Sequence, residues 1–372
     1  MNVLVLNPYH GGSHRAFLDG WIKNSRHEFT VLTLPAHKWK WRMRHSAVTF
    51  AEQTAEGVAR DESWDAVFCT DMLNLAEFRG LCCPSIRNLP AVVYFHENQL
   101  TYPNQRRDER DLHFAYTNFT TALAADRVWF NSEYHRNDFL SQLGEFLGRM
   151  PDHQHASAVE RLREKSEVQP PGVDFNEFES AAHSSVERNT EGPLRIVWAA
   201  RWEHDKNPAT FFSALEQLAP AGTDFRVSVL GQSFGDVPNC FAQARKTLAD
   251  KIDHWGHLDN RRDYIVALQQ SDVVVSTALH EFFGIAIVEA VAAGCIPLVP
   301  RRLAYPEVLE DIDDFFHDGT ADHLASRLTE LAVRKASGKL LTDEWRNCRR
   351  QLERFEWNHR AVAMDASLDE LR

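Results

Sequence analysis

Two carboxylates eight residues apart carry the first chemistry of this chain. Glu281 and Glu289 lie in the run His280-Glu281-Phe282-Phe283-Gly284-Ile285-Ala286-Ile287-Val288-Glu289, and from Gly284 to Pro300 nearly every other residue is apolar. That pattern reads as an internal helix leading into a buried strand. Burying an unpaired charge is very costly, so Glu289 must face a ligand or a cation. A helix beginning near Gly284 points the backbone N–H groups of Phe283, Gly284 and Ile285 out of its first turn. They form an anion site suited to a diphosphate, and Gly284 lets the ligand approach the backbone. Glu289, one turn further in, is placed to accept hydrogen bonds from two ribose hydroxyls. Glu281 would reach a sugar's hydroxyls from the loop. The plainer alternative is a buried Glu paired with an Arg, beside a surface Glu.

A second set lies upstream. Residues 194–200 read as a strand that ends in Arg201-Trp202-Glu203-His204-Asp205-Lys206. Two cations at a strand's carboxyl end can neutralise a leaving diphosphate, the main electrostatic task when a sugar–nucleotide bond breaks. Gly231 closes the strand 225–230 in the same way. In the first half, Gly11 and Gly12 separate strand 3–6 from a helix, which allows close approach of a ligand to backbone. Strand 91–95 ends in His96-Glu97-Asn98-Gln99-Leu100-Thr101-Tyr102. His96 there could contact the transferred sugar or orient an acceptor. Residues 35–46 hold Lys38, Trp39, Lys40, Trp41, Arg42 and Arg44 with no acid. Aromatics alternating with cations suit stacking on bases and pairing with phosphates. The plainer reading buries the tryptophans and solvates the cations. A second basic cluster, Arg106, Arg107 and Arg110, follows.

The elements that must position these residues alternate. Strands are expected at 3–6, 29–34, 66–69, 91–95 and 127–130, then at 194–199, 225–230, 272–276 and 296–299. Helices are expected at 13–22, 112–125 and 133–147. Alternation of this kind argues for parallel sheets with crossover helices, whose ligands bind outside the carboxyl ends of the strands. The chain of 372 residues divides into a first domain over 1–177, a polar linker over 178–192, a second domain over 193–350 and a final segment, 351–372, returning to the first.

Composition narrows the partners. The net charge of −12 does not suggest a nucleic-acid binder by bulk electrostatics, so any RNA surface must be a local patch. The six cysteines (Cys69, Cys82, Cys83, Cys240, Cys295, Cys348) lack zinc or redox spacing, which fits free thiols in a reducing cytoplasm. No apolar stretch has transmembrane length, and the first eight residues read as a strand rather than a signal peptide. Asp311-Ile312-Asp313 looks like a metal-binding pair of aspartates, but it lies in an acidic surface stretch, and no metal is expected.

The pair Glu281/Glu289 together with the pair Arg201/Lys206 resembles the E-x7-E and Arg-x4-Lys signatures of retaining glycosyltransferases. The fold this implies is α/β, GT-B, with two Rossmann-like domains facing each other across a cleft. The segments 9–14, 34–46, 94–103, 150–153, 198–205 and 280–289 resemble a narrower group, the tRNA-queuosine α-mannosyltransferase family, over almost the whole chain. The resemblance implies transfer of mannose from GDP-mannose, with retention, to the cyclopentene diol of queuosine in a tRNA anticodon, without a metal or other cofactor. It assigns donor binding to Gly11, Gly12, Arg201, Lys206, Gly231, Phe283, Gly284, Ile285 and Glu289. His96 and Glu281 become the catalytic pair. Lys38, Trp39, Lys40, Trp41, Arg42, Glu97, Asn98, Gln99 and Tyr102 fall on the acceptor. Three rivals differ in class: a GT-B transferase with another donor and a lipid, polysaccharide or small-molecule acceptor, a tRNA- or nucleotide-binding protein without turnover, and a sugar-nucleotide epimerase.

Overall fold

The computed structural model describes residues 1–103, 111–182, 191–233, 235 and 237–371. The cluster Arg106, Arg107 and Arg110 and the linker positions 183–190 lie outside the described residues. The chain forms two units: Met1–Gly172 joined by Trp357–Arg372, and Val173–Glu356. The changes of unit fall at 172/173 and 356/357, a few residues from the expected 177/178 and 350/351.

The first unit is built on a six-stranded parallel sheet: β1 (Asn2–His10), β2 (Glu28–Pro35), β3 (Ala66–Thr70), β4 (Ala91–Phe95), β5 (Arg127–Phe130) and β6 (Ser166–Val168). Their order is β2-β1-β3-β4-β5-β6. Side chains of a strand alternate between faces, so each central strand feeds two cores. Leu4, Leu6, Val67, Cys69, Val93, Phe95, Val128 and Phe130 pack on one face. Val3, Val5, Ala66, Phe68, Val92, Tyr94 and Trp129 pack on the other. That second face is covered by the helix Gly12–Asn24, through Phe17, Leu18 and Trp21, and by the last helix, Trp357–Asp369. Asp365 of the last helix is buried and accepts from Trp21 Nε1 (2.9 Å), Ser25 Oγ (2.7 Å) and the Arg26 N–H (2.9 Å).

The second unit has β7 (Leu194–Ala199), β8 (Phe225–Leu230), β9 (Ile252–Gly256), β10 (Val273–Val275), β11 (Ile296–Pro300) and β12 (Phe316–His317). All pair in parallel, in the order β12-β11-β10-β7-β8-β9. In each sheet the order reverses at one point, between β1 and β3 and between β7 and β10. Ligands of open parallel sheets bind beyond the carboxyl ends of strands at such points. The expected strands are all present. β6, β9 and β12 were not expected, being short and interrupted by Ser166, His254 and His317.

Candidate active site

At the reversal point of the second unit, the loop leaving β7 meets the loop leaving β10. The 3-10 turn His204–Lys206 carries Lys206 against the backbone of residue 280. Lys206 Nζ lies 2.8 Å from the His280 carbonyl, 3.1 Å from Asp205 and 3.4 Å from Glu281. Burial works against its charge, but Glu281 and Asp205 outweigh burial and raise its pKa. Lys206, expected on a diphosphate, donates here to the His280 carbonyl and to Glu281, and so holds Glu281 and the turn before it. Arg201 differs: 45% of its side-chain surface is exposed, and it pairs with Glu203 at 3.4 Å. His280 is kept neutral by burial and by the charge of Lys206, with its pKa pulled down to about 4.

The helix Ile285–Ala292 begins at Gly284, whose φ of 90° only glycine adopts readily. A Cβ there would also lie 2.8 Å from the Tyr305 ring. The N–H groups of Ile287 and Val288 bond back to the Gly284 carbonyl, while those of Ile285 and Ala286 have no backbone acceptor among the described residues. Phe283 beside them is buried, edge-on to Phe355 at 5.0 Å. Gly231, at the exit of β8, is demanded by packing: a Cβ would sit 1.8 Å from the Ala200 carbonyl oxygen at the exit of β7.

Glu289 meets a cation, as its apolar setting required, and that cation is Arg261. Its Oε1 lies 2.8 Å from Arg261 Nη2, and its Oε2 accepts from the Tyr264 hydroxyl at 3.1 Å. Arg261 also donates to Glu177 at 3.2 Å. Burial opposes its charge, but Glu289 and Glu177 overcome this and push its pKa up. Each carboxylate oxygen of Glu289 has one protein donor and one lone pair left over. Arg261 and Tyr264 have no signal in the local sequence.

The first unit gathers a different set. His96 and Glu97 follow β4, Asp71 follows β3, and Gly11, Gly12 and His14 open the helix after β1. The rings of His14 and His96 lie 3.9 Å apart. Burial, then the neighbouring His14 and His135, hold His96 well below the usual imidazole range, so it is neutral. The loop after β4 is fixed from outside. Asp71 Oδ1 accepts the His96 N–H (3.0 Å), Asn131 Nδ2 donates to the His96 carbonyl (3.0 Å), and Asn118 Oδ1 accepts the Gln99 N–H (2.8 Å). Asn118 Nδ2 in turn donates to the Asp71 carbonyl (2.9 Å).

Asp71 is fully buried, and burial followed by the charge of Glu97 drives its carboxyl well above the ordinary range. The backbone N–H of His96 works in the opposite direction, favouring the charged form. Sequence reasoning missed Asp71, although it ends a buried strand exactly as His96 does. Asp71 Oδ2, Thr70 Oγ1, His96 Nε2 and Asn98 Nδ2 are buried without a hydrogen-bond partner among the described residues. Polar atoms in that condition cost free energy unless a ligand or water completes them. Asn98, expected on an acceptor, is buried; its Oδ1 caps its own loop by accepting from Leu100 N, Thr101 N and Thr101 Oγ1. Gln99 is buried with Nε2 3.4 Å from Glu97, and Tyr102 is half-buried.

Residues 38–42 split between core and surface. Lys38, in a left-handed conformation, precedes the helix Trp39–Ala59. Arg42 was expected on an acceptor but is buried: Nε donates to the Pro35 carbonyl (3.0 Å), Nη1 faces His45 (2.9 Å) and Nη2 faces His37 (3.1 Å). Trp39 packs half-buried against the cluster of Met43, Met72 and Phe114. Lys38, Lys40 and Trp41 are exposed. Asp311 and Asp313 both pair with Arg301. Among the described residues no group of three His, Cys, Asp or Glu could hold a metal ion, and no helix is long and apolar enough to cross a membrane.

Comparison with known proteins bears on the fold and the family. A family model described as "tRNA-queuosine alpha-mannosyltransferase N-terminal" covers residues 2–173, and one described as "Glycosyl transferases group 1" covers residues 180–339. A tRNA-queuosine alpha-mannosyltransferase of Drosophila melanogaster is 36% identical over 312 residues, 82% of this chain and 81% of the relative. A GDP-mannose-dependent alpha-(1-6)-phosphatidylinositol dimannoside mannosyltransferase of Mycobacterium tuberculosis is 27% identical over 54% of this chain and 51% of its own. Sucrose-phosphate synthase from Thermosynechococcus elongatus superposes with a TM-score of 0.73 at 14% identity, over 100% of this chain and 99% of that one. The fold is GT-B, with two Rossmann-like domains. Identity over four-fifths of both chains, with a first unit matched by its own model, establishes the lineage: the chain belongs to the tRNA-queuosine alpha-mannosyltransferase family.

Proposed function

We propose that this protein transfers mannose from GDP-mannose to queuosine in a tRNA anticodon, with retention at the anomeric carbon. The observation that carries the reading is the likeness to the Drosophila enzyme across both units, with the carboxylates Glu281 and Glu289 each held by a cation. On this reading Glu289 binds the donor ribose through its remaining lone pairs. Arg201 and the N–H groups at the start of the Ile285–Ala292 helix take the diphosphate. Glu281, held by Lys206, orients the mannose. In the first unit His96 is the catalytic candidate, Gly11 and Gly12 are the donor candidates, and Glu97, Gln99 and Tyr102 the acceptor candidates.

The bond between C1 of mannose and the β-phosphate oxygen breaks, and a bond from C1 to a queuosine hydroxyl forms on the same face. The hydroxyl proton passes to the departing phosphate oxygen. No side chain needs to act as a nucleophile, and a neutral His96 can accept or donate a hydrogen bond without adding charge. The reading places the protein in the cytoplasm with its tRNA; the thiols of Cys69, Cys82 and Cys348 are buried and free.

The test is mass spectrometry of nucleosides from queuosine-containing tRNA after incubation with protein and GDP-mannose, beside Glu289→Ala. One added hexose on queuosine, lost in the variant, is the expected result. Consumption of GDP-mannose with no hexose on the tRNA would refute the acceptor assignment.

A further inference from the structure

The first turns of the Trp39–Ala59 helix present a surface that the donor chemistry leaves unused. Between Glu28 and Glu52 the chain has no acid and four cations, Lys38, Lys40, Arg42 and Arg44, in a protein of net charge −12. Arg42 is turned inward, so Lys38, Lys40 and Arg44 carry the exposed charge. Trp41 stands among them, 61% exposed. Leaving so large an apolar ring in water forgoes its burial.

The ring is nonetheless held in place. Trp41 stacks on His45, with centroids 4.9 Å apart and planes 30° apart. His45 is clamped on both nitrogens, 2.9 Å from Arg42 Nη1 and 2.9 Å from Thr49 Oγ1. A guanidinium can only donate, so Nε2 of His45 is its acceptor and Nδ1 carries the proton to Thr49. Burial and Arg42 lower the pKa of His45, which keeps this imidazole neutral. Arg42 is thus the keystone of an aromatic ledge rather than a ligand contact. Trp41, Arg44, His45 and Val48 fall at i, i+3, i+4 and i+7, one stripe of the helix. Arg44 sits over the Phe114 ring, 4.7 Å from its centroid, which places a positive charge beside the ledge.

From this arrangement we infer that the ledge Lys38–Lys40–Trp41–Arg44 is a docking face for single-stranded RNA: one unpaired base stacks on Trp41 while the cations pair with phosphates. The inference rests on the tRNA reading above and deepens it, since the bases flanking the modified nucleoside in an anticodon loop are single-stranded. A rigid aromatic with cations at its rim is what sequence-tolerant stacking on RNA requires. Charge complementarity selects the occupant, because an acidic protein surface would gain nothing from the indole and a neutral one nothing from the cations.

The experiment uses the full chain and two probes. Fluorescence anisotropy measures binding of a labelled anticodon stem-loop RNA across a salt series, and initial rates measure the KM for queuosine-containing tRNA. Trp41→Ala, at an exposed position, is expected to weaken RNA binding about 5- to 100-fold, the range of one lost base stack. Lys40→Ala with Arg44→Ala is expected to lower the salt slope of log K by about 2. GDP affinity, read by calorimetry, should stay within twofold for both. RNA binding unchanged in Trp41→Ala, or a wild-type protein that does not bind the stem-loop, overturns the docking face. Equal loss of binding to vesicles rich in phosphatidylserine, without loss on RNA, assigns the ledge to a membrane surface and also overturns it. RNA binding that depends on Trp41 in a protein that adds no hexose to tRNA supports the face while sinking the transfer reading.

Discussion

The two units solve opposite electrostatic problems at corresponding places. Beyond β7 and β10, ionised groups meet ionised groups: Lys206 with Asp205 and Glu281, Arg261 with Glu289 and Glu177, Arg201 with Glu203. Beyond β3 and β4 the buried groups carry little charge: Asp71, whose carboxyl is raised well above the ordinary range, an uncharged His96, and polar atoms of Thr70 and Asn98 without a partner among the described residues. Charge balanced by charge suits a ligand that arrives as a dianion and departs with more charge than it brought. Neutral donors and acceptors in a dry setting suit hydroxyls, where selectivity comes from leaving no polar atom unpaired. The difference is one of charge: the second unit balances ions with ions, and the first buries polar groups that carry little charge.

The largest expected effect tests the charged side. Arg201→Ala should lower the rate of GDP-mannose consumption by about 10²–10³, the usual cost of removing a group aimed at developing charge. Lys206→Met and Glu281→Gln should each be severe but non-additive, because Lys206 acts through Glu281. Fully additive losses in a double-mutant cycle would put Lys206 on the diphosphate instead and blur the contrast.

The next effect concerns stability. His280 is neutral in the folded protein down to about pH 4, against an ordinary 6.5 when unfolded. Below pH 6.5 the unfolded chain takes up a proton that the folded chain refuses. The stability present above pH 6.5 is therefore lost as pH falls towards 4, by roughly 3 kcal/mol for this one group. His280→Asn should flatten the difference in urea unfolding free energy between pH 7.5 and pH 4.5. An unchanged pH slope would show that the imidazole is not kept neutral.

The neutral side makes a finer prediction. An amide keeps the oxygen that accepts the His96 N–H, so Asp71→Asn should keep kcat within about threefold. Asp71→Ala, which frees the His96 N–H, should cost on the order of tenfold in kcat with GDP affinity unchanged. If Asp71→Asn were as damaging as Asp71→Ala, a negative charge at Asp71 would be essential. The smallest effect is expected at Arg301. Arg301→Gln should leave stability within about 0.5 kcal/mol and activity unaltered, with or without a chelator, because Asp311 and Asp313 serve only an exposed ion pair.

The strands of both sheets were legible because buried parallel strands are unbroken apolar runs, and the strand ends at His96, Arg201 and Glu281 followed from them. What could not be read was who holds these residues. Asp71 is 25 residues from His96, and Asn118 is 47 from Asp71; Arg261 reaches Glu289 across 28 positions. Such partners are set by the order of strands in a sheet, which local periodicity does not encode. The same limit explains Arg42 and Trp39. Their segment reads as uniformly cationic and aromatic, and only the helical phase decides that Arg42 turns in while Trp41 turns out.

The last helix has a consequence for how the molecule is made. The face of the first sheet that carries Phe17, Trp21 and Trp129 stays open until Trp357, Ala361, Met364 and Leu368 close it, and Asp365 is the acceptor that Trp21, Ser25 and Arg26 share. During synthesis the second unit, one continuous stretch from Val173 to Glu356, is complete while the first still shows an apolar flank. A chain stopped before Trp357 would carry a complete second unit beside a first unit whose apolar flank is uncovered, a natural substrate for chaperones and proteases.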